Sequence, residues 1–362
     1  MNEYLEIIKT SIYFFPVIAF IFTVPYILYQ YHKYGSIYYL RVIIIYSFIL
    51  YLMTAYFLVI LPLPTIEEVS RLTTPRMQLI PFSFINDFIR ETSLSISDVN
   101  TYLKALLEPC FYVVAYNILL CLPFGVYLHY YFQKDLKKTI LYTFLLSLFF
   151  ELTQLSGLYF IYPRGYRLFD VDDLILNTLG GILGYYVGSL FMKFLPNRNK
   201  IDDRAYELGQ RVSFLKRFVA FNIDFILYII MSCIISMFTN NNHYYQLIEM
   251  VVYYILIPTI YSGKTLAYSF VNLKIETNSN FPKRQIIIRQ SIWLTEMFVI
   301  PYLLFRLSIN LLLAHLYILV ILIVIFTVIY YLLLLICIIR KKNLICDKIS
   351  KTTIISTIHK KV

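Results

Sequence analysis

DLILNTLGGILGYYVGSLFMKFL, residues 173–195, carries only two charged side chains, Asp173 at its start and Lys193 near its end. At about 1.5 Å per residue, a helix of this length crosses the roughly 30 Å hydrocarbon core of a bilayer. Four of the ten glycines of the chain fall between Gly180 and Gly188. Gly180, Gly184 and Gly188 form two overlapping GxxxG units, a surface that lets a second helix backbone approach closely in lipid. Asp173, Asn177, Gly181, Gly184 and Gly188 also share one stripe of the helix. The segment therefore reads as a membrane helix with one small, polar face.

Eight further apolar runs accompany it, at about 11–31, 40–61, 109–132, 139–161, 215–238, 246–262, 288–306 and 314–339. The fold class that follows is all-α, a polytopic integral membrane helix bundle of about nine transmembrane helices. Composition points the same way. Of the 362 residues, 59% are hydrophobic and 15% charged, against about 25% charged in soluble domains. The abundance of Tyr and Phe, with Ile, Lys and Asn, fits an AT-rich coding bias and is given little functional weight. Glu3, Glu6 and Lys9 precede the first run, which lacks a small-residue cleavage site, so it is expected to stay as a helix.

The net charge of +11 is spread over short segments between apolar runs, which indicates topology and contact with anionic lipid rather than nucleic acid. Lys and Arg concentrate in 32–41, 133–138, 196–217, 263–289 and 340–362, while 239–245 and 307–313 have none. The positive-inside rule then places the amino terminus outside and the carboxyl terminus in the cytoplasm of a bacterial plasma membrane. The expected organisation is a five-span domain at 1–195 with an outer segment at 62–108, a cytoplasmic linker at 196–213, a four-span domain at 214–339 and a basic cytoplasmic tail at 340–362. Within the outer segment, Ser83–Leu107 has helical apolar spacing and is expected to lie along the membrane surface. No internal repeat supports an inverted-repeat transporter.

Polar side chains inside apolar helices are costly and mark partners or function. Ser147, Glu151 and Gln154 follow i, i+4, i+7 spacing and share a face of the fourth span. A tight hairpin of spans four and five would bring Glu151 and Gln154 toward Asn177 and Asp173, with Asn117 joining from the third span. The hairpin loop adds Arg164, Arg167, Asp170 and Asp172. Two readings stand side by side: interhelical hydrogen-bonding glue, with Arg167 paired to Asp170, or a ligand-facing cleft that opens outward. The cleft would use Asn117, Glu151, Gln154, Arg164, Arg167, Asp170, Asp172, Asp173 and Asn177, with Gly180, Gly181, Gly184 and Gly188 packing the helices.

The segments IPF at 80–82, NILLCLPFG at 117–125, ELTQ at 151–154 and RLFDVDDLILNTLGGILGY at 167–185 resemble the VanZ family over about 40–195. The resemblance implies a membrane protein linked with low-level resistance to lipid-tailed glycopeptide antibiotics such as teicoplanin. It carries over Asn117, Glu151, Gln154, Arg167, Asp170, Asp173, Asn177 and Gly181. In the second half, RFVAFNID at 217–224 and GKTLAYSFVNLKI at 263–275 resemble the RDD family, some members of which are linked with cation transport. Ala267 and Tyr268 depart from that family's glycine and basic residue. Arg217 and Asp224 form the expected polar pair of this half, with Glu296 a further acid of interest.

Other chemistries fit less well. Gly263, Lys264 and Thr265 lack the first glycine of a P-loop, because Pro258 stands there. His32, His129, His243, His315 and His359 are scattered, which argues against a zinc hydrolase or a histidine nucleophile. Cys110, Cys121, Cys233, Cys337 and Cys346 show no metal spacing and read as helix-packing thiols. No cofactor, metal or catalytic residue is expected. The leading expectation is a non-enzymatic envelope protein whose partners are membrane lipids and a lipid-linked cell-wall precursor, lipoteichoic-type polymer or lipoglycopeptide, and not nucleic acid. The alternatives are a cation-coupled secondary transporter using Asp224 or Glu151, and a membrane enzyme acting on a lipid-linked glycan.

Overall fold

A computed structural model describes residues 2–95, 97–239, 243–277, 279–340 and 344–358. Asn240–Asn242 of the uncharged loop, and 341–343 and 359–362 of the basic tail, lie outside the described residues. The helices and strands in order are α1 Asn2–Tyr34, α2 Tyr39–Ile60, α3 Ile66–Ser70, β1 Met77–Gln78, α4 Ser83–Glu91, α5 Asn100–Leu106, α6 Pro109–Tyr130 and α7 Leu136–Leu155. They continue with β2 Phe169–Asp170, α8 Val171–Phe194, α9 Arg198–Gly209 and α10 Phe214–Thr239. The last group is α11 Tyr244–Ile260, α12 Leu266–Phe270, β3 Leu273–Thr277, α13 Pro282–Leu313, α14 Tyr317–Ile339, α15 Ile345–Ser350 and β4 Thr352–Ser356.

Among the described residues, seven helices are long and apolar enough to cross a membrane: α1 from Glu6, α2, α6, α8, α10, α13 and α14. The chain is a multi-pass membrane protein. The fourth expected span is α7, 20 residues long. Its buried face carries Thr139, Thr143, Ser147, Glu151 and Gln154, and its apolar residues other than Phe150 are on the outward side or only partly buried. The seventh expected span is α11, a shorter apolar helix.

Two compact units divide the chain, residues 1–23 with 39–201 and residues 24–38 with 202–362. In the first unit, α6, α7 and α8 form the centre, and Ala55, Leu120 and Phe150 make an apolar cluster where α2, α6 and α7 meet. The Gly180 and Gly184 edge of α8 is turned to α6, while the hairpin expected between spans four and five packs α8 on α7 through Gly181 and Asn177. A Cβ at Gly180 or Gly184 would collide with the carbonyl oxygen of Ile118 or Leu122, and one at Gly125 of α6 with that of Gly181. These glycines let two backbones touch, and no larger residue fits without separating the helices. Gly181 sits on the other side of the same edge, against Thr143 of α7.

The 62–108 segment holds three short helices, α3, α4 and α5, and the Ser83–Leu107 stretch is divided between α4 and α5. Its strand β1 pairs parallel with β2, Met77 opposite Phe169 and Gln78 opposite Asp170. Ser93 donates to the Glu108 carboxylate from both its backbone nitrogen and its hydroxyl. Those two donors hold Glu108 below the usual carboxylate range.

In the second unit, the expected linker 196–213 contains the helix α9, and the basic tail contributes ordered structure. Strand β4 pairs antiparallel with β3, from Leu273 opposite Ser356 to Thr277 opposite Thr352. Lys216 at the start of α10 is buried and donates to Gly209 O at 2.9 Å and Ser356 Oγ at 2.7 Å. The Lys216 ammonium therefore ties the end of α9 to the last strand. Arg289 of α13 forms a buried ion pair with Asp347 of α15 at 2.8 Å.

Candidate functional site

Three spans supply the polar groups of the first unit. Asn117 of α6 donates through Nδ2 to Asp173 Oδ1 of α8. Asn177, one turn further along α8, donates to Ser147 Oγ of α7 at 2.9 Å. Glu151 Oε2 accepts the backbone N–H of Asp170 at 3.0 Å. The polar faces of α7 and α8 therefore meet through Ser147 and Asn177, whereas Glu151 meets the start of α8.

The expected direct contact of Gln154 with this pair does not form. Gln154 Nε2 donates to Val59 O at 3.0 Å, at the end of α2. Arg167 goes to the same place, giving Nη1 to Val59 O and Nη2 to Leu61 O, each at 2.8 Å. Tyr166 adds its hydroxyl to Ile60 O at 3.3 Å. The last carbonyls of a helix have no intrahelical partner, and a cation is favoured at that end by the helix dipole. Arg167 therefore caps α2, and among the described residues no ion pair joins it to Asp170.

These groups enclose a cavity of about 290 Å³. Its polar lining is Asn117, Glu151, Gln154, Arg167, Asp173 and Asn177, and its apolar lining includes Leu58, Val59, Leu120 and Phe150. Asn177 is buried, and its Oδ1 has no hydrogen-bond partner among the described residues. Two carboxylates, Glu151 and Asp173, thus face one guanidinium that is already committed to carbonyl oxygens. Such a chamber holds one negative charge more than its cation balances, if both acids are ionised. It presents acceptors at Glu151, Asp173 and Asn177 to anything that enters.

Three residues expected in the cleft stand elsewhere. Asp172 accepts from Phe82 N at 2.6 Å, Ser83 Oγ at 2.7 Å and Phe84 N at 3.0 Å. It clamps the start of α4, where a carboxylate satisfies free helical N–H groups. Asp170 caps α8, its Oδ1 accepting Asp172 N at 2.8 Å. Arg164 donates through Nη1 to Leu72 O and through Nη2 to Thr74 O, the latter at 2.6 Å. All three order the 62–108 segment and the start of α8 rather than line the cavity.

Sequence reading did not single out Thr139 and Thr143, which extend the buried polar stripe of α7. Their spacing of four from Ser147 and Glu151 was the available signal. The expected Arg217–Asp224 pair of the second unit also does not form. Both Asp224 oxygens accept from elsewhere, Oδ1 from Tyr253 Oη at 2.8 Å and Ala267 N at 3.1 Å, Oδ2 from Thr265 Oγ1 at 2.6 Å. Glu296 bonds to Tyr330 Oη. Among the described residues, no cluster of His, Cys, Asp and Glu is placed to hold a metal ion.

Residues 48–192 match the family model described as VanZ/LLP1. The first half of the chain is VanZ-like over that stretch, which contains every polar residue lining the cavity. No curated protein and no solved structure matches the chain.

Proposed function

We propose that the VanZ-like half holds the polar part of a lipid-linked or lipid-tailed molecule in the cavity between α2, α6, α7 and α8. In this reading the chain is a bacterial cell-envelope protein that contributes to tolerance of teicoplanin-like glycopeptides. One observation carries the reading: Glu151, Asp173 and Asn177 Oδ1, the last unpartnered among the described residues, face a shared chamber inside apolar helices. Acceptors at membrane depth are costly unless a partner reaches them, and the hydroxyl and amide groups of a glycan or peptide head are suitable partners. The charge distribution of the loops supports an amino terminus outside, which puts the 62–108 segment and the 162–170 loop on the outer face.

The test is teicoplanin susceptibility of a sensitive host expressing the wild type, Glu151→Gln or Asp173→Asn at equal protein levels. Both variants should return susceptibility to that of the empty vector. Wild-type protection by both would remove the cavity from the function. A second reading is favoured by the same two carboxylates: a cation-coupled carrier in which Glu151 binds the ion. Proteoliposome flux that vanishes in Glu151→Gln supports it, and flux that persists excludes Glu151. The RDD-like reading of the second half adds Asp224 as a carrier, but three donors already occupy its oxygens.

A further inference from the structure

The second unit encloses a cavity of its own, about 240 Å³, between α10, α11, α13 and α14. Phe214, Phe218 and Phe221 line it from one face of α10, opposite Tyr254 and Trp293. Charged groups also reach it, and most are neutralised where they stand. Asp224 is fully engaged, and Arg289 donates to Asp347 at 2.8 Å and to Gln290 Oε1 at 2.9 Å. Three buried polar atoms among the lining residues have no hydrogen-bond partner among the described residues: Arg217 Nε, Arg217 Nη1 and Tyr254 Oη.

All three belong to groups that donate. Two are on a guanidinium, whose planar edge matches a carboxylate or phosphate. Tyr254 is 2% exposed, so its hydroxyl cannot turn to bulk water. Tyr254 of α11 and Met297 of α13 both sit in π-helical turns, at Val252–Leu256 and Thr295–Val299. Such turns widen a helix and recur at functional sites. The aromatic walls fit an apolar tail, and the donors fit an anionic head.

We infer that this cavity is a binding site for an amphiphile with an oxyanion headgroup, a carboxylate or phosphate held by Arg217 and Tyr254 with its chain against the α10 phenylalanines. The inference does not depend on the function proposed for the first half. Trp293, the single tryptophan of the chain, lines the cavity and reports its occupancy.

The experiment titrates full-length protein in neutral detergent with ω-bromo-octanoate, ω-bromo-octyl phosphate, ω-bromo-octanol and ω-bromo-octyltrimethylammonium, and reads quenching of Trp293. Saturable quenching by an anion, about tenfold tighter than by the alcohol, is expected from a charge-assisted contact. Arg217→Gln should abolish that preference. Tyr254→Phe, which removes only a hydroxyl, should weaken the anion several-fold while leaving the alcohol unchanged. Equal quenching by the alcohol or the ammonium, or an anion preference that survives in Arg217→Gln, would overturn the site. Displacement of the bromo-anion by an equal concentration of inorganic phosphate would also overturn it, by making the ligand a free oxyanion.

Discussion

The contact between α6 and α8 can be tested with two alanines of the same helix edge. At Gly184 an added Cβ would collide with Leu122 O and stand 3.0 Å from Gly125 Cα. Both neighbours are backbone, so relief requires α6 to retreat rather than a side chain to rotate. At Gly188 the nearest atoms, His129 Cβ, Val126 Cα and Val126 O, lie at 3.4 Å, which is ordinary contact. Gly184→Ala should therefore cost toward the upper part of the ~1–3 kcal/mol typical of overpacking. A retreat of about 1 Å forfeits up to half of each pairwise dispersion contact along the seam, which supports the upper part of that range. Gly188→Ala should fall within about 0.5 kcal/mol of the wild type, as substitutions away from special features do. The measurement is reversible unfolding in mixed micelles, followed by circular dichroism. Equal destabilisation by the two variants would refute the claim that the glycine edge is closed against α6.

Two further outcomes follow from buried charges. Asp172→Ala removes the acceptor for Phe82 N, Ser83 Oγ and Phe84 N, and should cost about 2 kcal/mol at hydrogen bonds to a charged group; limited proteolysis should then cut within 83–95, and an unchanged digestion pattern would show that other contacts hold this segment. Breaking the buried Arg289–Asp347 pair with Asp347→Asn should cost about 3–5 kcal/mol by stranding the guanidinium, whereas Arg289→Met with Asp347→Leu should recover most of it; a double variant as unstable as the single one, in the same unfolding assay, would contradict this.

The helical, membrane-embedded character was legible because lipid imposes one rule on every span. With no water to satisfy the backbone, an apolar run of this length has no alternative to a helix. What the rule does not encode is which helix each face meets. The GxxxG edge of α8 specifies a close neighbour, but α6 supplies a single glycine there, Gly125, and no repeated small-residue pattern. The partner therefore could not be read from pattern. The β3–β4 pairing was hidden for a different reason. LKIET and TTIIS are short, and two long helices separate them in sequence, so neither local propensity nor a turn signal joins them.

The candidate site was legible as a list of residue types and not as a set of contacts. Asp170, Asp172 and Asp173 are close in sequence, yet successive residues at a helix start point about 100° apart. One caps its own helix, one clamps α4, and only Asp173 reaches the cavity. Arg167 illustrates the converse limit. The next charged residues after it in sequence are acids, but its partners are carbonyls of Val59 and Leu61, and every residue carries a carbonyl, so composition cannot reveal such a partner. Asn177 escapes both limits, because an amide with four hydrogen-bonding positions, set in a glycine-rich apolar helix, must find partners on an adjacent helix or from a ligand. It finds Ser147 with its nitrogen and nothing with its oxygen among the described residues, and that unmatched acceptor is the observation on which the proposed ligand-binding role rests.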